Sequence, residues 1–190
     1  MNPLLERLRQ EGLTVLVVRG EEELYRSTLS GVRPLLELWS LYAGTQAAPL
    51  SAGPACRGVG RLAGATVADR VVGGCAARVF LHLGVERVFA LVGSIPARAI
   101  LTAAGIGFEV ERGVLEIRNR NGTDTCPFER LSRHCRRPGN LVPAMARLLD
   151  ALGRGSVRPG AAGVPRVAPE LRPGAVVELP RAADRPETAG

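Results

Sequence analysis

The chain has 190 residues, of which 46% are hydrophobic, so it can bury the core of one ordinary domain. Its apolar runs fall well short of the roughly 18 residues of a membrane-spanning helix, and its N-terminus lacks the unbroken apolar stretch of a secretory signal. We therefore expect a soluble, cytoplasmic protein with no membrane partner. All 25 basic residues are arginine, which is typical of codon bias, so the net charge of +7 does not by itself predict a nucleic-acid partner.

The N-terminal part of the chain predicts a helix, a hairpin and a second helix. The first helix is expected over Pro3–Gln10, and the runs 13–18 and Glu22–Ser27, which meet at Gly20, predict the hairpin. Leucines at helical spacing predict the second helix at 33–41. The turn-rich stretch 44–64, which contains Cys56, is expected to be a long loop.

The segment 66–83 has the clearest helical pattern of the chain. Apolar residues recur there at three- and four-residue intervals, and Gly84 is expected to end the helix. Gly73 and Gly74 interrupt the pattern, and a glycine in mid-helix costs about 1 kcal/mol relative to alanine. We therefore expect neighbouring backbone, or a ligand, to approach closely there. Cys75 lies on the apolar face, which predicts a position in the core.

The elements that follow predict a strand–helix–strand order. A strand is expected at 86–92, a helix at 94–104, a strand at 106–111 and a final helix at 141–152. Such crossovers place helices on both faces of a sheet. The predicted fold class is thus α/β, a three-layer α/β/α sandwich over residues 1–152 with a mixed sheet, antiparallel in its hairpin and parallel in its later strands. Residues 153–190 hold six of the 14 prolines and are expected to form a disordered tail.

Four separated segments resemble one known family: GVRPLLEL (31–38), GATVADRVVGGCAARVFLHLGVERVFALV (64–92), SIPARAIL (94–101) and IRNRNGTDTCPFE (117–129). Together they resemble domain of unknown function 1893, a small bacterial and archaeal family placed in the cytidine-deaminase-like superfamily. The resemblance covers residues 10–152 apart from the loop, and it implies a deaminase-like α/β/α fold. It implies no reaction, because none is established for the family.

The zinc site of the deaminases is absent from the sequence. A zinc deaminase needs H-x-E or C-x-E at the start of one helix and P-C-x-x-C at the start of the next. The expected helices open instead with TVAD at 66–69 and SIPA at 94–97. Cys126, His134 and Cys135 form the remaining candidate ligand set, but their spacing matches no closed zinc pattern. We therefore expect neither a metal nor another cofactor.

Cys126 is the candidate catalytic residue. Pro127 suits the first position of a helix, which would make Cys126 the N-cap, where free N–H groups and the helix dipole favour a thiolate. Residues 118–137 contain six arginines against two acidic residues, so most of the net charge of the domain is concentrated there. A thiol in such surroundings suits nucleophilic or redox chemistry. The alternative is a small capping residue beside solvated arginines.

The neighbouring loop is the candidate ligand site. Its turn formers and side-chain donors predict a pocket for an anion or a ribose, although an ordinary connecting turn fits them as well. Ser94 follows a strand at the carboxyl edge of the expected sheet, where open α/β folds bind ligands, and its alternative role is an N-cap. Asp69 flanks the apolar face of the expected long helix. The candidate ligand-binding residues are Arg118, Asn119, Arg120, Asn121, Gly122, Thr123, Ser94 and Asp69.

Two functions remain open from the sequence. The first is a deaminase-like domain without zinc that binds a small anionic, nucleotide-like ligand near Cys126, with thiol chemistry as its extension. The second is a non-catalytic regulatory or protein-interaction module.

Overall fold

The computed structural model describes residues 2–43 and 61–154. Most of the expected loop 44–64 and nearly all of the expected tail 153–190 lie outside these ranges, so both stay predictions. None of the helices within these ranges has the length and apolar character needed to cross a membrane.

The described residues form six helices and five strands. The elements are α1 (Pro3–Gln10), β1 (Val15–Arg19), β2 (Glu22–Ser27), α2 (Arg33–Tyr42), β3 (Thr66–Val72), α3 (Gly74–Leu83), β4 (Arg87–Ser94), α4 (Ile95–Ala103), β5 (Gly107–Val114), α5 (Pro127–His134) and α6 (Pro138–Arg154).

The five strands form one mixed sheet in the order β2-β1-β3-β4-β5. The hairpin strand β1 pairs antiparallel with both β2 and β3, whereas β3, β4 and β5 are parallel to one another. The predicted α/β fold with a mixed sheet is therefore confirmed, including the antiparallel hairpin and the parallel later strands.

Helices pack on both faces of this sheet. On one face, Leu5 and Leu8 of α1 pack against Leu16, Ala68 and neighbouring residues of the sheet. On the other face, a larger core unites the apolar sides of α2, α3, α4 and α6 with the opposite side of the strands, and Phe80 at its centre is fully buried. Most of the domain's buried apolar area therefore lies on the α3 side of the sheet.

The single helix expected over 66–83 is wrong. Residues Thr66–Val72 form the central strand β3, and the helix α3 begins only at Gly74, with Gly73 as its N-cap. In β3 the apolar pairs Val67–Ala68 and Val71–Val72 stand four positions apart, with Asp69 and Arg70 between them. This spacing continues that of the helix after it, so the two elements look like one helix in the sequence. Gly73 and Gly74 therefore lie at the boundary between the strand and the helix, and not in the middle of one long helix.

The parallel strands direct two helix N-termini to one edge of the sheet. β3 leads into α3 through Gly73 alone, and β4 leads into α4 directly at Ser94. The carboxyl ends of parallel strands meet at the same edge, which is where open α/β folds receive ligands. Helix α5 returns to this edge after β5 and packs against α3 through Cys75, Arg78 and Glu129.

Candidate functional site

A buried carboxylate joins the two helix N-termini at this edge. Glu129 of α5 is only 2% exposed. Its Oε2 accepts a hydrogen bond from the backbone N–H of Gly74 at 2.7 Å, and its Oε1 accepts one from the hydroxyl of Ser94 at 2.6 Å. Ser94 in turn caps α4 by accepting the N–H of Ala97 at 3.2 Å. Because the N-terminal end of a helix favours negative charge, two helices stabilise the single carboxylate.

The glycine pair is explained by the approach of α5. A side chain at Gly73 would overlap the carboxylate of Glu129, and one at Gly74 would overlap the hydroxyl of Ser132. The close neighbours are therefore side chains of another helix, and neither the neighbouring backbone nor the ligand considered from the sequence is required.

Further polar contacts hold α5 on α3. The thiol of Cys75 donates to the backbone carbonyl of Phe128 at 2.9 Å, and Nε of Arg78 donates to the carbonyl of Ser132 at 3.1 Å. Cys75 is 3% exposed, which confirms its predicted core position. Burial, followed by the nearby charge of Glu129, raises the pKa of the Cys75 thiol to about 12, so this cysteine is a neutral donor.

Cys126 is the N-cap of α5, and Pro127 is the first residue of that helix, as predicted. The half-buried thiol makes no hydrogen bond to the first turn. The backbone of Cys126 is fixed on both sides, because its N–H donates to the carbonyl of Ile117 and its own carbonyl accepts the N–H of Arg130. The residue is thus held firmly while its side chain keeps its hydrogen-bonding capacity.

The candidate ligand loop is a closed hairpin. Arg118 and Thr125 form an antiparallel bridge, and the N–H of Asn119 donates to the carbonyl of Asp124 at 2.8 Å. The side-chain oxygen of Asn119 accepts the N–H of Thr123 at 3.0 Å. Gly122 adopts φ 69° at the tip, which glycine tolerates without strain. Several donors of this loop are therefore used inside the loop, as in an ordinary turn.

Four of the six arginines around Cys126 divide into two groups. Arg130 pairs with Asp124 at 2.9 Å, and Arg133 pairs with Glu116 at 2.7 Å. Hydrogen bonds from Thr125 and Arg133 lower the pKa of Glu116, so it stays ionised in this pair. Arg118 and Arg120 belong to the second group, since both are exposed and neither forms an ion pair within residues 2–43 and 61–154.

The predicted site residues fall into three places. Arg118, Asn119, Arg120, Asn121, Gly122 and Thr123 lie in the hairpin next to Cys126. Ser94 is fully buried and reaches the same helix through Glu129, three residues after Cys126. Asp69 lies apart, within the sheet between Val15 and Ala90, and accepts the N–H of Val71 at 2.9 Å. Burial raises the pKa of Asp69 to about 7.

One sequence-based inference about this edge needs revision, and one residue was missed. The helix after β3 begins with Gly74 and Cys75, whereas the sequence predicted a beginning at Thr66. A C-x-E motif that began at Cys75 would need glutamate at position 77, which is alanine. In the part of the chain that is described, no three His, Cys, Asp or Glu side chains are arranged to hold a metal ion.

Glu129 was missed as a functional position because it looked like a surface charge among arginines. The signal that could have found it is a helix with Glu129 and Ser132 on one face and a facing glycine pair.

Comparisons with known proteins agree with this fold. Residues 57–148 match the family model TM1506, described as a domain of unknown function (DUF1893). No curated protein matches the chain. The crystal structure of a DUF1893 family protein (TM1506) from Thermotoga maritima superimposes with a TM-score of 0.60 and 22% sequence identity, covering 77% of this chain and 91% of that chain. The two proteins therefore share their fold, and the resemblance to domain of unknown function 1893 is confirmed over residues 57–148.

Proposed function

We propose that this chain is a cytidine-deaminase-like domain without the deaminase zinc site, and that it binds a small anionic, nucleotide-like ligand at the surface formed by Cys126, Arg118 and Arg120. A mixed sheet with helices on both faces supports the superfamily assignment. Glu129 already occupies the helix N-termini at the carboxyl ends of β3 and β4. The proposed ligand surface therefore lies one helical turn before Glu129, at the start of α5.

The observation that carries this proposal is the open N-terminus of α5. No side chain of the described residues caps its first turn, so backbone N–H groups there are free for an anion, which helix N-termini bind through these groups and the dipole. Arg118 and Arg120 belong to the hairpin that ends directly before Cys126, and neither forms an ion pair with a described residue. Guanidinium groups and helix N–H groups together suit a phosphate or a carboxylate.

The thiol adds a reactive group to this surface. Cys126 is the half-buried residue at the N-terminus of α5, so its thiol lies at the edge of the proposed surface. An electrophilic centre of a bound ligand would thus face a nucleophile of the protein itself.

Ligand binding is tested by thermal unfolding with a panel of nucleotides and inorganic pyrophosphate. Binding to the native state raises the melting temperature, because it stabilises the folded protein by an amount that grows with the logarithm of ligand concentration over Kd. We expect the rise in the wild type and a smaller rise in Arg120→Ala. Arg33→Ala removes an equally exposed arginine at the start of another helix, α2, and should respond like the wild type. A panel that leaves the melting temperature unchanged would contradict the binding proposal.

Thiol reactivity is tested separately by alkylation of the native protein with iodoacetamide, read by peptide mass spectrometry. We expect Cys126 to be labelled in the free protein and to be protected by a ligand that raises the melting temperature. Labelling that such a ligand leaves unchanged would remove the thiol from the proposal while leaving ligand binding intact.

The second candidate function is a protein-interaction module. It is favoured by large apolar side chains left at the surface, such as Leu115 at 52% and Leu41 at 57% exposure, and by the open edge of the sheet at β5. If no nucleotide of the panel changes the melting temperature, the protein-interaction module becomes the proposed function.

A further inference from the structure

The four arginines nearest the start of α5 in the sequence are not equally available to a ligand. Arg118 and Arg120 of the hairpin form no ion pair with a described residue. Arg130 and Arg133 of α5 are already held by carboxylates of the protein itself. The arginines at 136 and 137 follow the last turn of α5, and the eight residues of this helix keep them about 12 Å from its start.

Asp124 holds Arg130. Its Oδ2 accepts a hydrogen bond from Nη1 of Arg130 at 2.9 Å, and its Oδ1 accepts the backbone N–H of Thr125 at 2.7 Å. The backbone carbonyl of Asp124 also accepts the N–H of Asn119 across the hairpin. Asp124 is therefore fixed within the hairpin, and its negative charge stays close to the start of α5.

Glu116 holds Arg133 in a similar way. Its Oε2 accepts Nη2 of Arg133 at 2.7 Å, and its Oε1 accepts the hydroxyl of Thr125 at 2.7 Å. Thr125 stands opposite Arg118 in the bridge of the hairpin, so this carboxylate also lies near a free arginine. Hydrogen bonds from Thr125 and Arg133, together with the charges of Arg133 and Arg118, hold the pKa of Glu116 below its ordinary value, so it stays ionised.

These two carboxylates limit the charge that a ligand meets. Both ion pairs are exposed to solvent, so neither is strong. An anion that separated either pair would still lie beside the released carboxylate, which would repel it. Four guanidinium groups and two carboxylates therefore leave two positive charges at this surface, which is the charge of Arg118 and Arg120 alone.

We infer that Glu116 and Asp124 are specificity-determining residues, which restrict the ligand of this surface to a phosphate monoester such as a nucleoside monophosphate. This restriction rests on the proposed function, because it concerns the same surface. A phosphate monoester carries about −1.5 to −2 charges near pH 7, which matches the two available guanidinium groups. Each further phosphoryl group adds negative charge that meets Arg130 and Arg133 only together with their carboxylates.

Isothermal titration calorimetry of the full-length protein tests this restriction. The probes are adenosine monophosphate and adenosine triphosphate, in a buffer with a chelator that removes divalent cations. The wild type should bind the monophosphate at least as tightly as the triphosphate. Glu116→Gln together with Asp124→Asn removes both charges but keeps an acceptor for each hydrogen bond from Thr125. This double variant should raise the affinity for the triphosphate relative to the monophosphate by at least about tenfold, because two more arginines become available.

A matched control removes the same amount of charge elsewhere. Glu86→Gln together with Asp150→Asn changes two exposed acidic residues outside this surface. This control should keep the ratio of the two affinities at its wild-type value. A double variant that only loosened the hairpin would weaken both nucleotides alike, so the ratio separates specificity from a structural role.

The failure of this restriction differs from the failure of the proposed function. An affinity that rises from monophosphate to triphosphate in the wild type overturns the restriction and leaves the proposed function standing. The same holds for a ratio that the Glu116 and Asp124 substitutions do not change, or that the control changes equally. If neither nucleotide binds to the wild type, the proposed function fails and the restriction fails with it.

Discussion

The hydroxyl of Ser94 and the carboxylate of Glu129 are hydrogen-bonded at 2.6 Å although they are 35 positions apart in the chain. Both groups are buried, and the same carboxylate also receives the N–H of Gly74. One residue of α5 therefore connects the starts of α3 and α4. This contact also positions Cys126, because Cys126 lies one turn before Glu129 on the same helix. The inner half of α5 therefore serves packing at this edge of the sheet.

Replacing Glu129 should cost substantial stability. In Glu129→Ala the N–H of Gly74 and the hydroxyl of Ser94 lose their acceptor inside the protein. We expect the free energy of unfolding to fall by about 3 kcal/mol, since hydrogen bonds to a charged group are stronger and buried unsatisfied donors are costly. Glu129→Gln keeps one acceptor and should fall between alanine and the wild type. Urea unfolding measures all three.

Glu86→Ala is the matched control for this substitution. Glu86 is an exposed glutamate whose ion pair with Arg87 is solvated, and such pairs contribute little. If Glu129→Ala were as stable as Glu86→Ala, the carboxylate would not be holding the two helix starts.

The glycine at the start of α3 should tolerate no side chain. A Cβ at Gly74 would overlap the side chain of Ser132, so Gly74→Ala should lower the free energy of unfolding by about 1–3 kcal/mol, as overpacking does. Gly139 in the first turn of α6 has nothing within 4 Å of the same added atom. Gly139→Ala should therefore be neutral, or stabilising by up to about 1 kcal/mol through helix propensity. Equal effects at both glycines in thermal unfolding would refute the close approach of α5.

The sequence predicted the elements that have one clear periodicity. The helices α1, α2 and α4 fall close to their expected positions because each has a single apolar stripe, and the hairpin β1–β2 does so because turn residues bound its two short runs. The central strand β3 was mistaken for helix because its apolar pairs, Val67–Ala68 and Val71–Val72, stand four positions apart. The N-cap at Cys126 followed from the fixed backbone of Pro127. The partner of Ser94 could not be predicted, since it depends on how a distant helix packs.

The three described cysteines should differ in reactivity. Cys75 is buried and its pKa is raised to about 12, so it should resist iodoacetamide at pH 8 in the native protein. Cys126 and Cys135 are half-buried and should react. Mass spectrometry of digested protein locates the label, and unfolding in urea before labelling provides the control in which all cysteines react. Rapid native labelling of Cys75 would show that α5 does not stay packed on α3.

Asp69 should make stability depend on pH between about 4 and about 7. Its pKa is raised by burial from an ordinary value of 3.8 to about 7. Below pH 3.8 the carboxyl is protonated in both states, so its full contribution to stability is present. As the pH rises, the unfolded state ionises first, and stability is lost until the folded pKa is passed. The shift corresponds to a loss of about 4 kcal/mol. Asp69→Asn should abolish this loss in urea unfolding from pH 4 to pH 8, whereas Asp150→Asn, at an exposed position of α6, should keep the wild-type slope. A slope that persists in Asp69→Asn would assign the pH dependence to another group.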